Sequence, residues 1–155
     1  MLLSALIFYL KYEAPEDEQN FAVVGEMLRA GKPKEDDEDY ESPLDILFKK
    51  LEYRNPDHIA VKYYKDYHSG AGRTLKSIQV TLSSKLEKFN IDEIANLTMT
   101  DEMELDRLGE EKIAVFAVIP DTHTSYNFLV SILYTQIFQN AFYRADNNYR
   151  GALPI

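Results

Sequence analysis

The chain has 155 residues, of which 45% are hydrophobic, enough for one folded domain or a piece of one and too apolar for a disordered chain. Its 17 basic and 26 acidic residues give a net charge of −9, which excludes a surface that coats nucleic acid and leaves only local DNA contact. It contains no cysteine, so disulfide and thiolate chemistry are excluded, and His58, His68 and His123 are too scattered for a histidine-based metal centre.

The first element is an apolar helix over 2–13, stopped before Pro15. Its apolar run is about ten residues, short of the roughly 20 a membrane span needs, and it lacks the flanks of a signal peptide. A second helix is predicted over roughly 17–30, with Phe21, Val24, Met27 and Leu28 as its stripe and Gly31 at its end. The charged stretch 32–41, with its Asp36–Asp39 run, reads as a solvated loop. Ser42, Pro43 and Asp45 then spell out a helix start: N-cap, first helical position and a favourable charge for the dipole. Leu44, Leu47, Phe48 and Leu51 form the buried face of this third helix.

Asn55-Pro56 breaks it and opens a fourth helix near 56–68. A fifth, about 73–89, carries Leu75, Ile78, Leu82, Leu86 and Phe89 on one stripe, and a short helix follows at "NIDEIANLTM".

Between the fourth and fifth helices lies "SGAGRT", which looks like a phosphate loop. Aligned so that Gly72, Arg73 and Thr74 fill the G-K-[ST] end, it places Tyr67 where the first glycine is required and Arg73 where lysine is required. The stretch therefore reads as a glycine break between two helices.

The texture changes at residue 112. Ile113 to Ile119 is a continuous apolar run, which predicts a strand over 112–119 covered on both faces, as in a parallel α/β sheet. A long helix beginning near Thr124 or Ser125 is apolar over most of its circumference and is expected to be deeply buried. No second convincing strand exists to pair with the first, so the expected setting is a larger α/β protein of which this chain is a segment.

The blocks "EAPEDEQNF", "GAGRTLKSI", "DEMELDRLGEEKIAVFAVIPDTHTSYNFLVSILYTQIFQ" and "ADNNYRGALPI" resemble conjugative coupling ATPases of the TraG/TraD type, nearest to forms on mobile elements of Gram-positive bacteria. Where this chain has His123, such proteins commonly carry an acidic residue. The resemblance implies a mainly α fold: an all-α helical insertion over 1–108, then one strand-helix unit of a RecA-like P-loop NTPase domain over 109–155. It implies that the P-loop lies upstream of Met1 and the Walker B acid beyond Ile155. On that basis this chain holds no cofactor and is inactive alone, while the full-length parent uses ATP and Mg²⁺. The implied parent is a homo-hexamer on the cytoplasmic face of the bacterial membrane, anchored by a segment outside this chain. Relaxase, relaxosome proteins and the type IV secretion channel are the implied partners, with single-stranded DNA a further candidate.

Two groups of residues are candidate sites. Asp121, Thr122 and Thr124 follow the expected strand, at the edge where open α/β sheets bind ligands and where nucleotide and subunit interface would meet. The same residue types also simply cap the following helix. Arg73, Lys76, Lys62 and Lys65, with Tyr64 as a stacking face, are candidate contacts for nucleic acid or a protein partner; the plainer reading is a solvated helix face with half-buried tyrosines. The abundant carboxylates near 102–111 lie in a charged connector with no apolar pocket, and His123 has no nucleophile motif beside it, so no catalytic residue is assigned. The rival function from another class is a stand-alone helical protein-interaction module.

Overall fold

The computed structural model describes residues 1–32, 40–70, 72–119 and 124–153. The described residues are mainly helical, with seven α-helices: α1 (Leu2–Glu13), α2 (Phe21–Ala30), α3 (Pro43–Arg54), α4 (Ile59–His68), α5 (Gly72–Leu86), α6 (Asp92–Met99) and α7 (Asn127–Asn148). The chain divides into two compact units, Met1–Thr100 and Asp101–Ile155. Among the described residues no helix is long and apolar enough to cross a membrane.

In the first unit, local sequence sets each boundary. Pro15 holds Ala14 in extended backbone and ends α1. Asn20 caps α2, its Oδ1 accepting the Val23 N–H at 3.1 Å, so the helix starts later than predicted and Glu16–Glu18 forms a separate 3-10 turn. At α3 the Ser42 hydroxyl accepts the Asp45 N–H while the Asp45 carboxylate accepts the Ser42 N–H, a reciprocal cap with Pro43 in the first turn. His58 caps α4 through Nδ1, which accepts the Ala60 N–H at 3.1 Å; this moves the start of α4 from the predicted 56 to 59. Helix α5 ends at Leu86, and a 3-10 turn over Glu87–Asn90 finishes the predicted stripe.

The core lies between α1 and α4, with α2 and α3 against them. Leu2, Ala5, Leu6, Leu28, Leu44, Phe48, Ala60 and Val61 are all buried. Gly31 sits in a tight place: a Cβ there would lie 2.6 Å from Leu44 Cδ2, so the Leu44 side chain would have to shift. The Gln79 side-chain amide on α5 donates to the Gly31 carbonyl at 2.6 Å, closing the end of α2 across 48 residues of sequence.

The second unit departs from the predicted strand. Residues 112–119 are in neither helix nor strand, and Phe116 and Val118 are 86% and 95% exposed. A strand is defined by its neighbour's hydrogen bonds, and among the described residues none pairs with this run. Helix α7 departs in the same direction. It was expected to be buried, but Ala145 is its only buried residue among those described; Phe138 and Phe142 are 55% and 67% exposed. What this unit places against α7 is little more than two 3-10 turns, Leu105–Arg107 and Thr124–Tyr126. Arg144 of α7 pairs with Glu110, and with Asp106 at 3.6 Å.

Candidate functional site

The first unit has two concave features, one polar and one largely apolar. The first is an open depression of about 400 Å³ between α3 and α4, with Asp45, Phe48, Tyr64 and His68 in its lining and Lys49 and Lys65 on its walls. Asp45 is its hub. Oδ2 accepts the Ser42 N–H at 2.8 Å and the Ser42 hydroxyl at 2.5 Å; Oδ1 accepts the Tyr64 hydroxyl at 2.8 Å and lies 2.7 Å from His68 Nε2. A carboxylate offers about four acceptor positions, and all are engaged.

Burial pushes the Asp45 carboxyl up, but the hydrogen bonds from Ser42 and Tyr64 and the neighbouring His68 outweigh it, and the net is a pKa below the ordinary 3.8. Burial, together with the hydrogen bond to Asp45, pushes Tyr64 well above its ordinary value. Burial, with the Asp45 charge behind it, raises Tyr67 to about 12. A carboxylate held ionised and saturated is a poor proton shuttle, so the cluster locks helices together and is not suited to acid–base chemistry.

Sequence reading assigned Asp45 only to the helix start. Its wider role is signalled by Tyr64 and His68, four residues apart and therefore on one face of α4.

Tyr64 was a candidate stacking face for a base, and its position corrects that expectation. It is 8% exposed, its ring lies on Phe48 with centroids 3.9 Å apart and planes within 2°, and its hydroxyl is bound to Asp45. No ring face is left for a nucleobase. Lys65 pairs with Glu52 at 2.5 Å and Lys62 with Asp57 at 3.3 Å, so both cations are locally compensated. Arg73 and Lys76 are exposed in the first turns of α5. Thr124 is exposed at the start of the 3-10 turn before α7. Asp121, Thr122 and His123 lie outside the described residues, as do 33–39 with the Asp36–Asp39 run.

The second feature runs along α5. This helix holds Arg73, Lys76 and Lys85 and no acidic residue, in a chain of net charge −9. A groove of about 340 Å³ separates it from the start of α1, lined among others by Leu3, Ser77, Ile78, Leu82 and Lys85. It stays open because α1 packs on α4 whereas α5 packs on α2 and the 3-10 turn after it. The Ser77 and Thr81 hydroxyls in the groove donate back to the Arg73 and Ser77 carbonyls, which leaves its floor mostly apolar.

Comparison with protein families decides the matter: the type IV secretory system conjugative DNA transfer family matches residues 1–153. The chain belongs to that family. No curated protein and no solved structure matches it. This conjugative DNA-transfer chain is mainly helical, as the resemblance implied.

The resemblance also implies ATP and Mg²⁺ for the parent protein, and the glycine stretch of this chain does not fit them. Tyr67, at the place of a phosphate loop's first glycine, is helical and 5% exposed, with its hydroxyl on the Leu75 carbonyl at 3.4 Å. Gly72 begins α5 with open space around it and does not approach other backbone. No catalytic step is therefore derived through a nucleotide at these residues.

Proposed function

We propose that this chain is the helical substrate-recognition part of a conjugative coupling ATPase, with the returning segment toward its nucleotide-binding domain. Its work is to recognise a relaxase–DNA substrate and hand it to the type IV secretion channel. The reading rests on the family match across residues 1–153. The parent in this reading is a membrane-anchored homo-hexamer on the cytoplasmic face, using ATP and Mg²⁺ held by residues outside this chain. Asp121, Thr122 and Thr124 belong to the edge near the nucleotide, and Arg73 and Lys76 to the partner-facing surface.

The exposed run 112–119 and exposed α7 support the view that further sheet and core complete this unit in the parent. A stand-alone interaction module is supported instead by the first unit, whose core is compact. Among the described residues no buried side-chain nitrogen or oxygen lacks a hydrogen-bond partner.

The test is fluorescence anisotropy with the relaxase–DNA complex of the same mobile element. Binding to the complex, about tenfold or more tighter than to the naked single strand, is the expected result. Equal binding to both, or to neither, refutes substrate recognition by this chain.

A further inference from the structure

We infer that the groove between α5 and the start of α1 is the docking site for an acidic amphipathic helix of a protein partner. The inference deepens the recognition reading and rests on it.

Three observations select this occupant. The groove face of α5 includes Thr74, Ser77, Ile78, Thr81, Leu82 and Lys85, spaced i, i+3, i+4, i+7, i+8 and i+11, which is one continuous helical stripe. Its apolar members Ile78 and Leu82, facing Leu3 of α1, are half-buried and offer a surface that apolar side chains at the same spacing would cover. Of the cations of α5, Lys85 lines the groove and Arg73 stands one residue before Thr74 at its end, neither forming an ion pair among the described residues, while no acidic side chain of α5 opposes them. An acidic helix satisfies both the apolar stripe and the charge.

Single-stranded DNA fits the same surface poorly. The groove lining contains no aromatic ring on which a base could stack. A phosphate backbone brings no apolar group to Ile78 and Leu82. Three cations along a helix of 15 residues, about 22 Å, neutralise few phosphates.

The experiment uses the full chain with three fluorescent probes. The first is a peptide of about four helical turns with leucines at i, i+3, i+4 and i+7 and glutamates elsewhere. The second has the same composition in scrambled order, and the third is oligothymidylate. The amphipathic acidic peptide is expected to bind about tenfold or more tighter than its scrambled form and to resist competition by oligothymidylate. Combining Arg73→Glu with Lys85→Glu, both at exposed positions, is expected to weaken it about tenfold, with helix content by circular dichroism unchanged. Ser77→Trp, which fills the groove without altering charge, is expected to weaken it as much.

Failure of the peptide to bind, equal binding of the scrambled peptide, displacement by oligothymidylate, or indifference to both variants each overturns the inference. The recognition reading is checked separately. If the relaxase–DNA complex binds wild type and the charge-reversed variant equally, recognition stands and the groove is not its seat; if it binds neither, recognition itself fails.

Discussion

Asp45→Ala removes the acceptor for four donors at once, and the structure apportions the cost. Losing the carboxylate half of the reciprocal cap leaves the buried Ser42 N–H without its acceptor, while the Ser42 hydroxyl still caps α3, and costs about 1 kcal/mol. The buried Tyr64 hydroxyl is left without its acceptor, which adds about 1–3 kcal/mol. His68 has a side chain 44% exposed and rehydrates, so its share is close to zero. The sum is about 2–4 kcal/mol, or a midpoint lower by about 10–20 °C for a cooperative unit of this size.

Thermal and urea unfolding followed by far-ultraviolet circular dichroism measure this loss. A cycle with Tyr64→Phe isolates the shared hydrogen bond, with an expected coupling of about 1 kcal/mol. The loss also depends on pH. The folded carboxyl titrates below 3.8, so as pH falls the unfolded state takes up its proton first. The charge-linked part of the contribution is complete above the unfolded value and is lost as pH falls through the folded one, so the gap between wild type and Asp45→Ala narrows in acid. A loss under about 0.5 kcal/mol at neutral pH, or a gap that does not narrow in acid, refutes the account.

At the alkaline end, Tyr67 holds its proton to about 12, above the ordinary 10.0, so its contribution is present below pH 10 and is lost as pH rises toward 12. Tyrosinate absorbance should show more than one late-titrating group in the folded protein, and Tyr67→Phe should reduce their number by one. Gln79→Leu unpairs the Gly31 carbonyl at the end of α2 and should destabilise by about 1–2 kcal/mol in urea unfolding. Phe138→Glu with Phe142→Glu alters side chains that are 55% and 67% exposed, so thermal stability should hold within about 0.5 kcal/mol while concentration-dependent association in sedimentation falls.

The parts of the fold that were legible in the sequence are those written locally. Ser42-Pro43 with Asp45, the stop at Pro15 and the stripe from Leu75 to Phe89 each depend on residues within a few positions, and each formed as expected. The run 112–119 and α7 failed for a common reason. An apolar pattern states that a segment wants covering, but the cover is non-local, and the described residues supply little of it. The candidate site divides in the same way. Tyr64 has the composition of a stacking residue, and only the meeting of α3 with α4 reveals that Phe48 and Asp45 already hold it. The cationic character of α5 was readable in full, since 72–86 contains no acidic residue, whereas the groove beside it depends on how α1 and α5 diverge.

The fastening of α4 has a consequence for how the first unit opens. At its start, His58 Nε2 lies 3.4 Å from Glu13, which also pairs with Arg54 at the end of α3; at its finish, Tyr64 and His68 meet Asp45 at the beginning of α3. Helices ordinarily fray from their ends, but here both ends of α4 are tied to neighbouring helices. Its hydrogen-bonded amide protons, from Lys62 onward, can then exchange with solvent mainly through the cooperative opening of the whole α1–α3–α4 block, giving them an even protection profile. A pull applied through a bound partner would reach this helix as shear along its length, without a loose end from which to peel.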